Sequence, residues 1–427
     1  MQSTDLKRII ADQQQILKIK PTPLIERSVF GRLKSLHATR QIIIMMGLRR
    51  SGKSTLLNQL IHESDENKYY INFEDDRLAP FQVEDFQRLL EAFHELFGHQ
   101  STFYLDEIQN IKGWELFARR LFDQGNKLYI TGSNASMFSK ELGTRLTGRY
   151  LPLSVYPFSF REFIAYTYPD ALTYEGLTTE ERSQLKRLFN EYALQGGLPE
   201  YLQNQQKDYL HTLYENIVYK DVIVRHNLTS EKTIKTLMYY LASNIAKDTS
   251  YNALKKMLGV SSATTIADYC QYIASSFLCT FIHRYSPSLK QQEGYAKKTY
   301  FIDNALARSI GFRMSEDRGR LLENTVFLAL QRQGHHVYFY KEKGECDFII
   351  KQETTITHAI QVCISLENGK TRQREINGLA EAMKHFSLPE GYILTEDEEE
   401  DIKLTIDNRE YLIKVMPVWR WLLTQND

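Results

Sequence analysis

The spacing of apolar residues changes several times along the chain, and each change marks an element. Ile42-Ile-Ile-Met-Met46 is a short apolar run without alternation, β-branched at its start, as in a strand covered on both faces. The following stretch, Ser54 to Ile61, places Leu57, Leu60 and Ile61 on one helical stripe. Thr102-Phe-Tyr-Leu-Asp106 and Lys127-Leu-Tyr-Ile-Thr131 read as further buried strands, and Tyr150-Leu-Pro-Leu-Ser-Val155 as the last of the set. Between Asp106 and Lys127, Trp114, Phe117 and Leu121 share one helix face while Arg119 and Arg120 point away. Strands alternating with helices in this order predict an α/β domain with a mostly parallel sheet and a ligand at the strands' carboxyl ends.

From about Tyr156 to Arg225 the strand-like runs stop, and the chain reads as helices broken at Pro157, Gly176, Gly196-Gly197 and Pro199, a lid or connector. Tyr251 to Leu258, Gly259-Val-Ser261 and Ser262 to Ile273 then predict a helix, a glycine turn and a capped helix. This is helix-turn-helix spacing. Phe277 to Ile282 and Lys298 to Ile302, joined by a polar loop with Lys290, Lys297 and Lys298, fit the two strands of a wing. The second helix carries Thr264, Thr265, Asp268 and Gln271 but no Arg or Lys, so phosphate attraction is weak there. Lys255, Lys256 and the wing lysines partly compensate, which leaves DNA contact and protein docking as alternative uses of this region.

A chain of 427 residues exceeds what one core usually organises, so two to four domains are expected. The 53 basic and 53 acidic side chains cancel, and nucleic-acid binding would need a local patch. Cys270, Cys279, Cys346 and Cys363 show no Cys-x-x-Cys spacing, which predicts reduced thiols in a cytoplasmic protein rather than a metal site. No leader-like start and no bilayer-length apolar run occur, so no membrane partner is expected. His335-His336 are neighbours that would not aim together at one ion, and the acidic run Glu396 to Asp401 reads as a solvated loop.

The chemistry concentrates in Gly47-Leu-Arg-Arg-Ser-Gly52-Lys53-Ser54, two glycines with four residues between them followed by Lys-Ser, set between strand and helix. Loop amides and the helix N-terminus there point at one anion, a nucleoside triphosphate. Lys53 would neutralise the outer phosphates and the Ser54 hydroxyl would ligate Mg²⁺, with Arg50, Ser51 and Thr55 completing the cradle. One glycine turns the chain, and the other admits the phosphate close to the backbone. Asp106, at the end of a buried strand, would hold Mg²⁺ through water, and Glu107 would act as general base on the attacking water. Ser133 and Asn134 follow the next strand and are candidates to sense the γ-phosphate. Of the two arginines in Leu142-Gly-Thr-Arg145-Leu-Thr-Gly148-Arg149, Arg149 is the better candidate to stabilise transition-state charge, in cis or across a subunit contact. ATP and Mg²⁺ are therefore the expected ligands, and oligomerisation stays open.

The set Gly47 to Ser54, Leu105-Asp106-Glu107-Ile108-Gln109, Thr131-Gly-Ser-Asn134, Leu146-Thr-Gly148-Arg149 and Tyr156 to Phe163 resembles a family of bacterial and archaeal AAA-type ATPases. Leu194-Gln-Gly-Gly-Leu-Pro199, Tyr300-Phe-Ile-Asp303-Asn304, Leu322-Glu323-Asn324 and Glu345-Cys-Asp347-Phe348 are similar to that family's later signatures. The resemblance implies phosphate, Mg²⁺, base and sensor roles for Lys53, Ser54, Asp106, Glu107 and Asn134. It also implies a sheet in which an extra strand separates the phosphate loop from the acidic strand, and a C-terminal region with a winged helix and a fold related to PD-(D/E)xK nucleases.

Such nucleases need a helix Glu, a strand Asp and Glu-x-Lys on the next strand to hold Mg²⁺ and assist attack at phosphate. Glu323 and Asp347 match the first two, but Gln361 stands for the Glu and Cys363 for the Lys, so cleavage is not expected. The layout that follows is an N-terminal helical segment (1–20), an α/β ATPase domain with a parallel sheet (21–165), a helical lid (166–228), a winged-helix-like domain (229–303) and a smaller α/β degenerate nuclease-like domain (304–427). The expected function is an ATP- and Mg²⁺-dependent switch acting on a protein or DNA partner. The alternative is a nucleotide-gated DNA-binding module with negligible hydrolysis.

Overall fold

The structure, a computed structural model, describes residues 1–19, 25–63, 69–134, 145–169, 178–311 and 318–425. The expected break at Gly176 and the stretch 142–144 lie outside these. The chain forms two compact units, one of Met1–Pro157 with Ser275–Phe277 and one of Phe158–Ala274 with Leu278–Asp427. No helix among the described residues is long and apolar enough to cross a membrane.

In the first unit the order is α1 (Ser3–Leu17), α2 (Ser28–Ser35), β1 (Ile42–Met46), α3 (Lys53–Glu63), β2 (Tyr69–Asn72), α4 (Phe86–Phe97), β3 (Thr102–Asp106), α5 (Trp114–Asp123), β4 (Lys127–Gly132) and β5 (Tyr150–Ser154). The strands are all parallel, in the spatial order β2-β3-β4-β1-β5. β4 thus separates the strand leading to Gly47 from the strand ending in Asp106, as the resemblance implied. The unalternating run of β1 is explained by the two cores it divides. Ile42, Ile44 and Met46 join Leu6 of α1, Leu89 of α4 and Phe117 of α5, while Ile43 and Met45 join Phe30 of α2 and Leu57 and Leu60 of α3. Every β1 side chain is buried, each worth roughly 1.5–3 kcal/mol on the apolar transfer scale. In α5, Trp114, Phe117 and Leu121 are buried and Arg119 and Arg120 exposed, as their spacing predicts.

The second unit begins with α6 (Phe160–Thr167), α7 (Thr179–Gln195), α8 (Pro199–Asn204), α9 (Lys207–Ile217) and α10 (Glu231–Ser243). Ser159 with Glu162, and Thr178 with Glu181, close reciprocal capping boxes that start α6 and α7. Next come β6 (Asp248–Thr249), α11 (Tyr251–Leu258), α12 (Ala263–Ser275), β7 (Cys279–His283), α13 (Leu289–Gly294) and β8 (Lys297–Phe301). Their strands form an antiparallel sheet in the order β6-β8-β7. The rest is α14 (Asn304–Ile310), α15 (Arg318–Arg332), β9 (His336–Lys341), β10 (Glu345–Gln352), β11 (Thr355–Val362), α16 (Gly369–Phe386), β12 (Glu390–Thr395), β13 (Glu400–Ile406), β14 (Arg409–Pro417) and α17 (Val418–Thr424). These strands build a mixed sheet, β13-β14-β12-β11-β10-β9, with α16 laid across β10, β11 and β12.

Three of the later sequence signatures meet at one polar junction. The buried Asp303 carboxylate accepts from Gly197 N at 2.7 Å and caps α14 through Leu306 N at 2.9 Å. Asn304 Nδ2 donates to Ala193 O and Thr325 Oγ1, both at 2.9 Å. Asn324 pairs with both backbone groups of Phe301, at 2.8 and 2.9 Å, and donates to Asn304 Oδ1 at 2.8 Å. Gly196 ends α7 at φ 68°, and a Cβ on it would lie 2.2 Å from Asp303 Oδ2. These residues are spent on satisfying buried backbone, which accounts for them without chemistry.

The acidic run is a loop that enters β13 with Asp397, Glu399 and Asp401 exposed, and it is also tied down by hydrogen bonds and ion pairs. Glu398 accepts from Leu366 N at 2.8 Å and from Ser365 Oγ at 3.0 Å. Glu396 pairs with Arg318, Asp397 with Lys186, Glu399 with Arg182 and Arg420, and Glu400 with Arg372. The fold brings cations from α7, α15, α16 and α17 to this one segment, which no local pattern announces. Each exposed pair adds at most about 1 kcal/mol, but together they fix the approach to β13.

Gly197 tests the junction. A Cβ there would sit 2.2 Å from the Phe158 carbonyl oxygen, so Gly197→Ala should cost about 1–3 kcal/mol. The urea midpoint followed by Trp419 and Trp421 fluorescence measures it, and an unchanged midpoint refutes the packing argument.

Candidate nucleotide-binding site

Gly47 follows β1 directly beside the exit of β5. A Cβ on it would lie 2.1 Å from the Val155 carbonyl oxygen, so this glycine is required by the neighbouring strand before any phosphate is considered. Gly52 takes φ 98° and Arg50 φ 64°, and such left-handed residues curl successive amides into an anion-receiving nest. Arg27 braces the loop from behind, donating to Ser51 O at 3.1 Å and to Tyr156 O at 2.6 Å. The Ser51 hydroxyl is buried and meets no partner among the described residues. Ser54 and Thr55 open α3 with exposed side chains.

Two networks meet on the floor of the loop. Lys53 Nζ donates to Gly47 O at 3.2 Å and Leu48 O at 3.0 Å, and lies 3.5 Å from Glu107 Oε1. Ser54 Oγ donates to Asp106 Oδ1 at 3.0 Å, the Thr131 hydroxyl donates to the same oxygen, and Tyr70 OH donates to Oδ2 at 3.3 Å. Thr131 Oγ1 also accepts from Glu107 N at 2.9 Å. Burial, then the charge of Glu107, push the Asp106 carboxyl up to about 6, against the hydrogen bonds of Thr131 and Ser54 and the charge of Lys53. Burial opposes ionisation of Glu107 as well, but Lys53, Gln109 and Arg49 together hold it below the usual carboxylate range. A hydroxyl beside a carboxylate offers hard oxygen donors with room for waters, which fits Mg²⁺ carried in with a triphosphate.

Glu107 itself sits in the left-handed region, at φ 51° and ψ 39°, a conformation a non-glycine residue holds only when its surroundings impose it. Ser133 and Asn134 are fully buried at the carboxyl end of β4, and Ser133 Oγ accepts from Gln109 Nε2 at 3.3 Å. The structure thus gathers Lys53, Ser54, Asp106, Glu107 and Ser133 in one connected set. Arg149 stands apart. Its carbonyl accepts from Ile42 N at 2.8 Å, at the amino end of β1, roughly 13 Å of strand rise from the end where the loop begins. Its guanidinium pairs with Asp123 at 3.2 Å. Tyr70, Thr131, Gln109 and Arg27 are contributors that sequence reasoning missed, because their roles depend on neighbouring strands and on a turn that folds back.

The second unit carries a separate cluster of charge. Lys298 Nζ lies 2.9 Å from Asp347 Oδ1, 2.8 Å from Glu345 Oε1 and 3.4 Å from Glu323 Oε1, and Tyr300 OH donates to Glu323 at 2.6 Å. Burial works against the Lys298 ammonium, yet Asp347 and Glu323 hold it protonated well above its usual range. Burial and the neighbouring Asp347 push Glu323 up to about 8. The expectation that Lys297 and Lys298 serve an exposed wing is corrected here. Both are buried, and Lys297 pairs with Glu293, because β8 is the middle strand of its sheet. Gln361 spends both ends of its amide, accepting from Asp347 N at 3.0 Å and donating to Glu375 Oε2 at 2.6 Å. Burial pushes the Cys363 thiol up to about 12, so it supplies neither thiolate nor cation. Among the described residues no group of three His, Cys, Asp or Glu is placed to hold a metal.

Sheet order, glycine loop and paired carboxylates define a P-loop ATPase-like domain of the AAA type. Residues 39–164 match the family model described as AAA domain, and residues 186–317 match a domain of unknown function (DUF8612). An uncharacterized protein of Methanocaldococcus jannaschii, MJ1544, is 32% identical over 434 residues, 98% of this chain and 95% of that protein. The chain belongs to the family of that archaeal protein. An uncharacterized protein of Haemophilus influenzae is 29% identical over 345 residues, 76% of this chain and 83% of its own. Among solved structures, the Walker-type ATPase PABY2304 of Pyrococcus abyssi is similar with a TM-score of 0.40 at 14% identity, covering 66% of this chain and 94% of that one.

Removing the ammonium from the second cluster leaves buried carboxylates without their cation. Lys298→Met should therefore destabilise the second unit by roughly 3–5 kcal/mol. In a Trp114→Phe background the fluorescence of Trp419 and Trp421 reports that unit's urea transition, and a loss under about 1 kcal/mol contradicts the assignment.

Proposed function

We propose that this protein is an Mg²⁺-dependent ATPase that uses hydrolysis to switch its hold on a partner. The observation that carries the reading is the division of labour between adjacent carboxylates. Asp106 is joined to the Ser54 hydroxyl, while Glu107 turns the other way, toward Lys53 and Gln109. Lys53 exchanges its loop carbonyls for the β- and γ-phosphates of ATP, with the loop from Gly47 to Gly52, including Arg50 and Ser51, and the start of α3 at Thr55 wrapped around them. Ser54 would hold Mg²⁺ directly and Asp106 through water, and that ion when bound neutralises charge on the phosphates. Glu107 takes a proton from water as the water oxygen bonds to the γ-phosphorus. The bond from that phosphorus to the β,γ-bridging oxygen breaks, and its electron pair leaves with ADP. Asn134 senses the γ-phosphate. Arg149, at the opposite end of the sheet, serves only a nucleotide held by another copy of the chain.

The helices α11 and α12 with the sheet β6-β8-β7 support a winged-helix reading of that region, and the mixed sheet with Glu323 and Asp347 supports a nuclease-like fold without nuclease chemistry. A protein partner is favoured over DNA. The exposed positions of α12 include Thr264, Asp268 and Gln271, and of the lysines expected to serve a DNA reader burial withdraws Lys297 and Lys298, leaving Lys256 and Lys290 exposed and Lys255 half-buried. The free cysteines fit a reducing cytoplasm.

Lys53→Ala should abolish ATP binding in calorimetry. Glu107→Gln should keep affinity within a few-fold while phosphate release falls at least about 100-fold. Equal turnover in wild type and both variants discards the reading.

A further inference from the structure

The general base of the proposed reaction is held by a residue that no comparison assigns, and its geometry leaves one polar atom over. Glu107 enters a short 3₁₀ turn, Ile108–Asn110, closed by Asn110 N to Glu107 O at 3.2 Å and Ile111 N to Ile108 O at 3.0 Å. Ile108 is fully buried and anchors the turn, so Gln109 is carried back over Glu107. A carboxylate can only accept, and the Gln109 amide therefore turns its Nε2 toward Glu107 Oε2. The same nitrogen reaches Ser133 Oγ at 3.3 Å, which engages both of its N–H bonds. The amide cannot rotate without breaking both contacts. Its Oε1 is buried and meets no donor among the described residues. An orphaned buried acceptor is costly in a native structure and calls for an explanation.

We propose that Gln109 positions both the base and the nucleophile, its Nε2 fixing the Glu107 carboxylate and its Oε1 accepting a hydrogen bond from the attacking water. The inference rests on the ATPase reading. A water held between Glu107 and Gln109 Oε1 offers one hydrogen to each oxygen and keeps a lone pair for the γ-phosphorus. Glu107 then takes the first proton as the oxygen–phosphorus bond forms, and Gln109 keeps its own protons throughout. A glutamate is a strong acceptor that can hold a water in several orientations, and the amide reduces these to one. The residue is thus distinct in role from Ser54 and Asp106, which face the metal side of the phosphates, and from Lys53, which faces their charge.

The test separates ground state from transition state by ligand binding. ADP with beryllium fluoride mimics bound ATP, whereas ADP with aluminium fluoride mimics the in-line arrangement that includes the attacking water. Calorimetry in Mg²⁺ buffer with the full chain should show Gln109→Ala binding ADP and the beryllium complex within about twofold of wild type. The aluminium complex should be weakened about 30-fold or more, and kcat should fall by a similar factor with KM unchanged. Gln109→Glu keeps the size and the acceptor but sets a second carboxylate against Glu107, so it should bind ADP and show the same selective loss. This isosteric variant also carries the test should the alanine variant fold poorly. Equal loss for both complexes, or no loss for the aluminium complex, overturns the proposal while leaving the ATPase reading intact. A wild-type protein that binds ADP but neither fluoride complex, and hydrolyses no ATP, overturns both.

Discussion

A carboxylate taken out of water must be matched by a cation or by hydrogen-bond donors, and both units of this protein are built around that requirement. In each, a buried lysine faces an acidic group across about one hydrogen-bond length. The difference lies in how completely the lysine is satisfied. Lys53 leans on two backbone carbonyls and stands 3.5 Å from Glu107, an arrangement that an incoming anion can outbid. Lys298 is enclosed by Asp347, Glu345 and Glu323, and nothing weaker than a full replacement charge would displace it. The same chemical types therefore make one site that is open to exchange and another that is closed.

The closed cluster changes how the later motifs are to be understood. Glu323 and Asp347 are the carboxylates that the resemblance matched to metal-holding positions, and the charge beside them arrives on a side chain from β8. Asp303, Asn304, Asn324 and the glycine pair Gly196-Gly197 similarly look like a functional signature and instead complete the hydrogen bonding of buried backbone. A motif can be specific to a family because a fold needs it, with no ligand involved.

What could be read in the chain follows from the range over which each feature is determined. The β1 run, the stripe of α5 and the phosphate loop are local, since periodicity and glycine placement within a dozen residues set them. The pairing of Asp106 with Ser54 was legible because the chemistry demands it, although the two lie 52 positions apart. Lys298 looked like a wing residue because sequence near it is polar, and only the central place of β8 in its sheet buries it. The exposure of the run from Glu396 was legible, but its ion pairing was not, because the partners lie on four distant helices. Arg149 could not be placed before the parallel pairing of β1 with β5 was known. Gln109 has no recognisable role in the sequence, since its contact with Glu107 comes from the three-residue turn Ile108–Asn110.

The closed cluster also ties two sheets of the second unit to each other. Lys298 precedes Glu323, Glu345 and Asp347 in the chain, and all of the carboxylates that match its ammonium among the described residues come from elements after β8. The three-stranded sheet and the first strands of the larger one therefore share one set of charges, and neither has its counter-charge without the other.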